Sequence, residues 1–255
     1  MRIISALLLA VALVLPSACK NRSEEAKKKK EAYDELRAGE NEVKKSLEMT
    51  EEGLKVDHEA LANNQKRVEA AAEKLGGKQG EALKILAKIQ ADSNKIAKDI
   101  DARSQEFIAA LDWKSLESNA DYDARRTVMR DYAKFNRETI EIFAGRPTEL
   151  NQQLDDINFK GKEREDLEQG FNSSYGPMMI TIRKIRECDI AACDISVRIL
   201  NLLEKDKGKW SWNTADEVID FENAATSAAF QKEIQAFQEV GELQIQLQTK
   251  LIQGL

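Results

Sequence analysis

Leu47, Leu54, Leu61, Val68 and Leu75 recur every seventh residue, and Val43 leads into the column. The positions three further along are Thr50, Asp57, Asn64 and Ala71, polar or small. One column of a heptad seam is therefore apolar and the other is not. That pattern predicts a long helix over 23–75 that can pack against a neighbour but is weak as a self-sufficient dimer. "LGGKQG" at 75–80 then ends the helix, with three glycines serving as cap and turn. A fuller seam follows over 81–113, through Ala82, Leu86, Ile89, Ile96, Ile100 and Phe107. Two arms of similar length joined by a short glycine turn predict an antiparallel helical hairpin over 41–113.

The rest of the chain repeats the helical period. Tyr122, Met129, Tyr132, Phe135, Thr139 and Ile142 share one face. "GRPTE" predicts a helix end at Gly145 and a new start near Pro147. Short helices are expected around 150–157 and 167–171, with "YGP" at 175–177 as a boundary. From 178 to 205, Ile182, Ile185, Ala192, Ile195 and Ile199 predict one long helix, although "DISVRILNLL" also alternates like a strand. The stretch 209–221 reads as a small β-hairpin carrying Trp210 and Trp212; its competitor is a helix started at Thr214 with a capping box at Glu217. Phe230, Ile234, Phe237, Val240, Leu247 and Leu251 define a last helix over 224–253. The fold class expected is all-α: a long helical hairpin over 41–113, then a C-terminal helical bundle over 114–255. Only 12 Gly and 3 Pro among 255 residues, with 33% charged, agree with it.

The first thirty residues carry a different signal. Arg2 is the only charge before Cys19, Ile3 to Leu15 are almost wholly apolar, and Pro16, Ser17 and Ala18 are turn-forming or small. That order predicts an export signal over 1–18, too short to span a bilayer. "LPSAC" at 15–19 resembles the lipobox of bacterial lipoproteins, with Pro16 standing where the pattern has an apolar residue. The resemblance implies that Cys19 becomes the lipidated N-terminus, the alternative being cleavage by the ordinary signal peptidase. It places the protein in the cell envelope, facing the periplasm, with the outer membrane slightly favoured because Lys20 rather than aspartate follows Cys19. Residues 19–40 are then the lipid anchor and a basic tether. Lys20, Arg22 and Lys27 to Lys30 against Glu24 and Glu25 would be drawn to anionic headgroups. The same stretch also reads as a solvated helix start capped by Ser23. The order long helix, "GKWSW", hairpin and last helix is similar to uncharacterised bacterial lipoproteins with helical-bundle bodies, which implies a fold and no activity.

Composition narrows the chemistry. Without residues 1–18 the chain holds 38 basic against 45 acidic residues, which disfavours nucleic-acid binding. His58 is the only histidine, so zinc sites of the H-E-x-x-H type and ferritin-like di-iron sites lack their ligands. No phosphate-binding glycine loop occurs. Neither catalytic residues, nor a metal, nor a cofactor is expected. Cys188 and Cys193 in "CDIAAC" are either a disulfide, permitted in an exported protein, or two buried thiols; five residues apart on a regular helix exceeds disulfide reach. Trp210 and Trp212 are a cap on one bundle end or a ligand contact. The expected role is a structural or adaptor protein that binds another envelope component through a helix face, with Leu47, Leu54, Leu61 and Val68 as the candidate partner seam. The alternative is a small-molecule or lipid carrier using a cavity in the C-terminal bundle.

Overall fold

The computed structural model describes residues 24–45, 47–50, 53–116, 118–213 and 218–253, with the side chains of 24–26, 40, 44–45, 47–49 and 54 excepted. Cys19 and the export signal lie outside the described residues, as do the side chains of Leu47 and Leu54 and the Thr214–Glu217 capping box. The architecture is all-α, as the periodicity predicts. Helices α1 (Glu24–Lys45), α2 (His58–Leu75), α3 (Gly77–Ala110), α4 (Asn119–Asp156), α5 (Lys162–Lys205) and α6 (Ala224–Gln253) follow one another. Two antiparallel β-hairpins interrupt them: β1 (Leu47–Thr50) with β2 (Gly53–Val56), and β3 (Trp210–Asn213) with β4 (Val218–Phe221). No helix among the described residues is long and apolar enough to cross a membrane.

The expected unbroken helix over 23–75 is corrected. Its heptad column runs through β1 and β2, where Leu47 faces Val56 and Met49 faces Leu54 across the ladder. "LEMT" and "GLKV" alternate apolar and polar with period two, and seven residues separate Leu47 from Leu54 under either geometry. Gly53 disfavours an unbroken helix, and the β-branched Thr50 and Val56 weigh toward strand. The hairpin shortens the first arm to the 18 residues of α2, against 34 in α3. α1 turns back along α2 rather than trailing free as a tether. Ala32 and Val43 of α1 are buried. Arg67 of α2 pairs with Glu35 at 3.0 Å and Glu42 at 2.7 Å, and Lys74 pairs with Glu35 at 3.0 Å. These bonds hold the Glu35 carboxyl below its ordinary range. They are half-exposed and orient α1 more than they stabilise it.

Two predicted breaks are absent. α4 runs through Pro147 and α5 through Pro177. Proline at 147 removes the N–H that would bond the Phe143 carbonyl. The Tyr175 hydroxyl of α5 donates to that carbonyl instead, at 2.6 Å. The tertiary contact fills the bond that the ring deletes, so the helix does not end.

Inter-helix contacts set the alignment. α3 runs antiparallel to α4: Arg103 lies 4.6 Å over the Phe135 ring, and the Phe107 and Tyr132 rings are 5.5 Å apart. α4 and α5 meet at Phe143–Tyr175, Asn136–Arg186 and Arg126–Glu204. α6 returns along α5, with Gln244 at Asp189 and Glu233 at Arg198. α2 lies along the other half of α3, with His58 at Asp101. α6 stops where β2 and α2 begin, and Leu251 shares a core with Val56 and Leu61. The result is an elongated bundle. One end holds the α2–α3 and α4–α5 turns; the other holds the β3–β4 hairpin. The 44 residues of α5 make it about 65 Å long at 1.5 Å per residue.

The α2–α3 turn is tight because Gly76 and Gly77 take positive φ values of 60° and 52°. Gly80 then crosses so close to α2 that a β-carbon there would lie 2.3 Å from the Ala72 carbonyl oxygen. Gly80→Ala must push two backbones apart and should cost about 1–3 kcal/mol, measured by urea unfolding.

Candidate functional site, a buried polar layer

The middle of the bundle is polar. Asn136, Arg186 and Asp189 are fully buried, and Thr139, Gln244 and Gln248 nearly so. Arg186 Nη1 lies 2.9 Å from Asp189 Oδ2 and donates to Asn136 Oδ1 at 3.2 Å. Gln244 of α6 donates to Asp189 Oδ1 at 2.7 Å. The layer therefore ties α4, α5 and α6 together, at the level where α6 gives way to β2 and α2. Burial pushes the Asp189 carboxyl up to about 6, against the opposing pull of Arg186 and the Gln244 bond. Burial also raises the neighbouring Tyr132 hydroxyl, and the Asp189 charge adds to it.

Sequence reasoning passed over these residues, yet a signal exists. On α6 the inward line is Phe230, Ile234, Phe237, Gly241, Gln244, Gln248 and Leu251, alternately four and three apart. Two of its positions are glutamine. In "LQIQLQ" the glutamines at 244 and 248 turn inward, while Leu243 is 49% and Ile245 40% exposed. On α5, Arg186 and Asp189 sit three apart inside the apolar line of Ile182, Ile185 and Ala192. A charged pair one turn apart on a buried stripe, facing a polar break on another helix, is the pattern of a buried ionic layer. Such a layer fixes which residues align, because any axial slip strands a charge in the core.

The residues singled out from sequence fall elsewhere. Leu61 and Val68 are buried along α2, whereas Leu47 and Leu54 belong to the β1–β2 hairpin. The four do not share one helix face, so the partner seam read from their spacing does not exist as a helical stripe. Cys188 and Cys193 are free, buried thiols on the unbroken α5. Burial pushes Cys188 up to about 11 and Cys193 higher still, so both stay protonated at neutral pH and are poor nucleophiles. His58 is half-buried, with Nε2 2.5 Å from Asp101 Oδ2.

Trp210 and Trp212 stand on β3 facing Phe221 and Ile219 of β4. The face they share packs onto Leu203, Ile199 and Phe230. The Trp210 indole donates to the Leu203 carbonyl at 2.8 Å, near the end of α5. That places the hairpin as a cap on the bundle end, at the position expected. Trp113 joins the same cluster, so all three tryptophans gather there.

The chain matches no protein-family model, and comparison with curated proteins and with solved structures returns no significant match.

Proposed function

We propose that the protein is a lipid-anchored envelope protein, tied to the membrane through Cys19, that works as a structural or adaptor element by contact rather than catalysis. One observation carries this reading beyond the lipobox-like "LPSAC". The start of α1, the first described segment after Cys19, lies at the turn end of the bundle. Glu35 reaches Lys74 near the end of α2. Burial and then the Glu163 carboxylate at the start of α5 push the Tyr33 hydroxyl up, which puts α1 beside that end too. The tryptophan-capped hairpin lies at the opposite end. A chain held at Cys19 carries that hairpin about 65 Å away, along a bundle whose alignment is locked by an ionic layer. Fixed length and locked alignment suit a spacer or adaptor. The contact surface is on the outer helix faces and the hairpin end, because Leu61 and Val68 are used internally.

The test compares wild type with Cys19→Ala in cells, by membrane fractionation, intact mass of the mature N-terminus, and crosslinking from Asn213 at the hairpin. The expected result is a lipid mass on Cys19, membrane retention lost in the variant, and a defined envelope protein crosslinked only in wild type. An unmodified N-terminus with equal partitioning of both chains would end the anchored reading. Retention without any crosslinked partner would end the adaptor reading.

A further inference from the structure

α1 is held differently from the other helices. Among its residues with described side chains, those buried are Ala32, Gly39 and Val43, while Tyr33 and Leu36 are half-buried. Each of α2 to α6 buries leucine or a larger apolar side chain. On α2, Asn64, Arg67 and Lys74 meet α1, and Ala71 completes that stripe at helical spacing. The ion pairs of Arg67 and Lys74 with Glu35 and Glu42 involve side chains that are 29–37% exposed, so water and salt reach them. Where the helices cross, a β-carbon on Gly39 would lie 2.0 Å from Asn64 Oδ1. The closest contact is therefore backbone on an amide rather than apolar interdigitation.

Little apolar surface opposes separation beyond Ala32, Leu36 and Val43. Leu61 and Val68 stand on the adjacent stripe of α2, so removing α1 uncovers mainly an amide, a methyl group and two cations. α1 itself is a 22-residue segment dominated by lysine and glutamate. The β1–β2 hairpin between α1 and α2 keeps its own hold on the core through Val56 and does not have to follow. Segments with few buried apolar contacts open at a free energy well below that of global unfolding.

We propose that α1 is a releasable strap. Docked, it lies along α2 and keeps its start at the turn end of the bundle. Released, it becomes a tether of 22 residues, about 33 Å long as a helix. The change of reach rests on the anchored reading, since only a chain held at Cys19 converts a longer tether into a greater distance from the membrane; the release does not. The strap leaves the alignment of the bundle untouched, because the ionic layer lies in α4, α5 and α6.

Release is read by hydrogen exchange and mass spectrometry on the full chain carrying Cys19→Ser. Relative to intrinsic rates, peptides within 27–43 should exchange at least about a hundredfold faster than peptides of α3, and faster still as salt rises. Arg67→Glu should speed α1 about tenfold more without altering α3. Gly39→Leu should do the same by wedging α1 off Asn64. Leucine is the better helix former, so that increase reports displacement from α2 rather than a weaker helix. An α1 protected as strongly as α3 overturns the proposal. So do variants that leave α1 unchanged, or that loosen α3 equally. Reach is read on the lipidated chain in vesicles, by energy transfer to headgroup acceptors from a donor on Lys160→Cys in the α4–α5 turn; Cys188 and Cys193 are buried and stay unlabelled. Gly39→Leu should lose most of that transfer, and equal transfer overturns the change of reach. Absence of lipid on Cys19, read separately by mass and fractionation, ends the anchored reading and leaves the exchange result standing.

Discussion

Arg186→Met should destabilise the protein by about 3–5 kcal/mol at pH 7, among the largest effects of any single substitution. Methionine occupies a similar volume, so the loss is not a cavity. About 1 kcal/mol of it at pH 7 comes from Asp189, which loses the cation 2.9 Å away and takes up a proton; the rest comes from the lost bond to Asn136 and the loss of the guanidinium's other buried contacts. The effect carries a pH signature. The Asp189 carboxyl is raised to about 6 in the fold, above the ordinary value of about 3.9 for an unfolded aspartate. The folded state thus holds a proton that the unfolded state has already released. Wild type is penalised through this group as pH rises from about 4 to about 6, by up to about 3 kcal/mol. Below that window Asp189 is neutral in both states and has little need of Arg186. The cost of Arg186→Met should shrink accordingly as pH falls toward 5. Asp189→Asn should remove this contribution to the pH slope, but it leaves the buried Arg186 guanidinium without its carboxylate and should itself cost about 3–5 kcal/mol, whereas Arg186→Met with Asp189→Leu should recover most of the single-variant loss. Thermal melts across that pH range decide the matter. A cost of Arg186→Met that stays constant with pH would show that its bonds to neutral groups, rather than Asp189, are what it supplies.

Phe107→Ala should be comparably severe, at about 3–5 kcal/mol. Phe107 is fully buried between α3 and α4, with its ring 5.5 Å from that of Tyr132. Truncation removes apolar burial and opens a cavity beside the polar layer, whose bonded side chains cannot move in to fill it. Urea unfolding gives the difference directly. A loss below about 1 kcal/mol would mean that α3 can close onto α4 there, and that the layer does not hold the helices apart. Unlike Arg186→Met, this cost should not vary between pH 5 and 7, because no titrating partner is lost.

Much of the fold was legible because helices advertise themselves locally. The stripes on α3, α5 and α6 lie three and four residues apart, and every such pair meets within one helix whatever else the chain does. The β3–β4 hairpin was legible for the same kind of reason: Trp210 and Trp212 alternate across Ser211, and Val218 to Phe221 offer matching partners. The β1–β2 hairpin was hidden because Leu47 and Leu54 satisfy a heptad count as readily as a strand alternation. Spacing alone cannot choose when both periods place the same residue types at the same separation.

The polar layer was the least visible part. Arg186, Asp189, Asn136 and Gln244 come from three helices, and each reads alone as an ordinary surface residue. Only their convergence shows that four polar groups bond one another in the core. Pro147 makes the same point from the other side. The rule that proline ends a helix is a statement about a missing donor, and Tyr175 provides one from another helix. Periodicity, composition and turn residues by themselves determined that this chain is helical, where its glycine turn and tryptophan cap fall, and which faces are apolar. The tertiary structure alone decided which breaks are real, how α1 folds back on α2, and which polar residues are core. The reason is that the first set depends on neighbours a turn apart in sequence, whereas the second depends on hydrogen bonds, charges and clashes between residues that only the fold brings within reach.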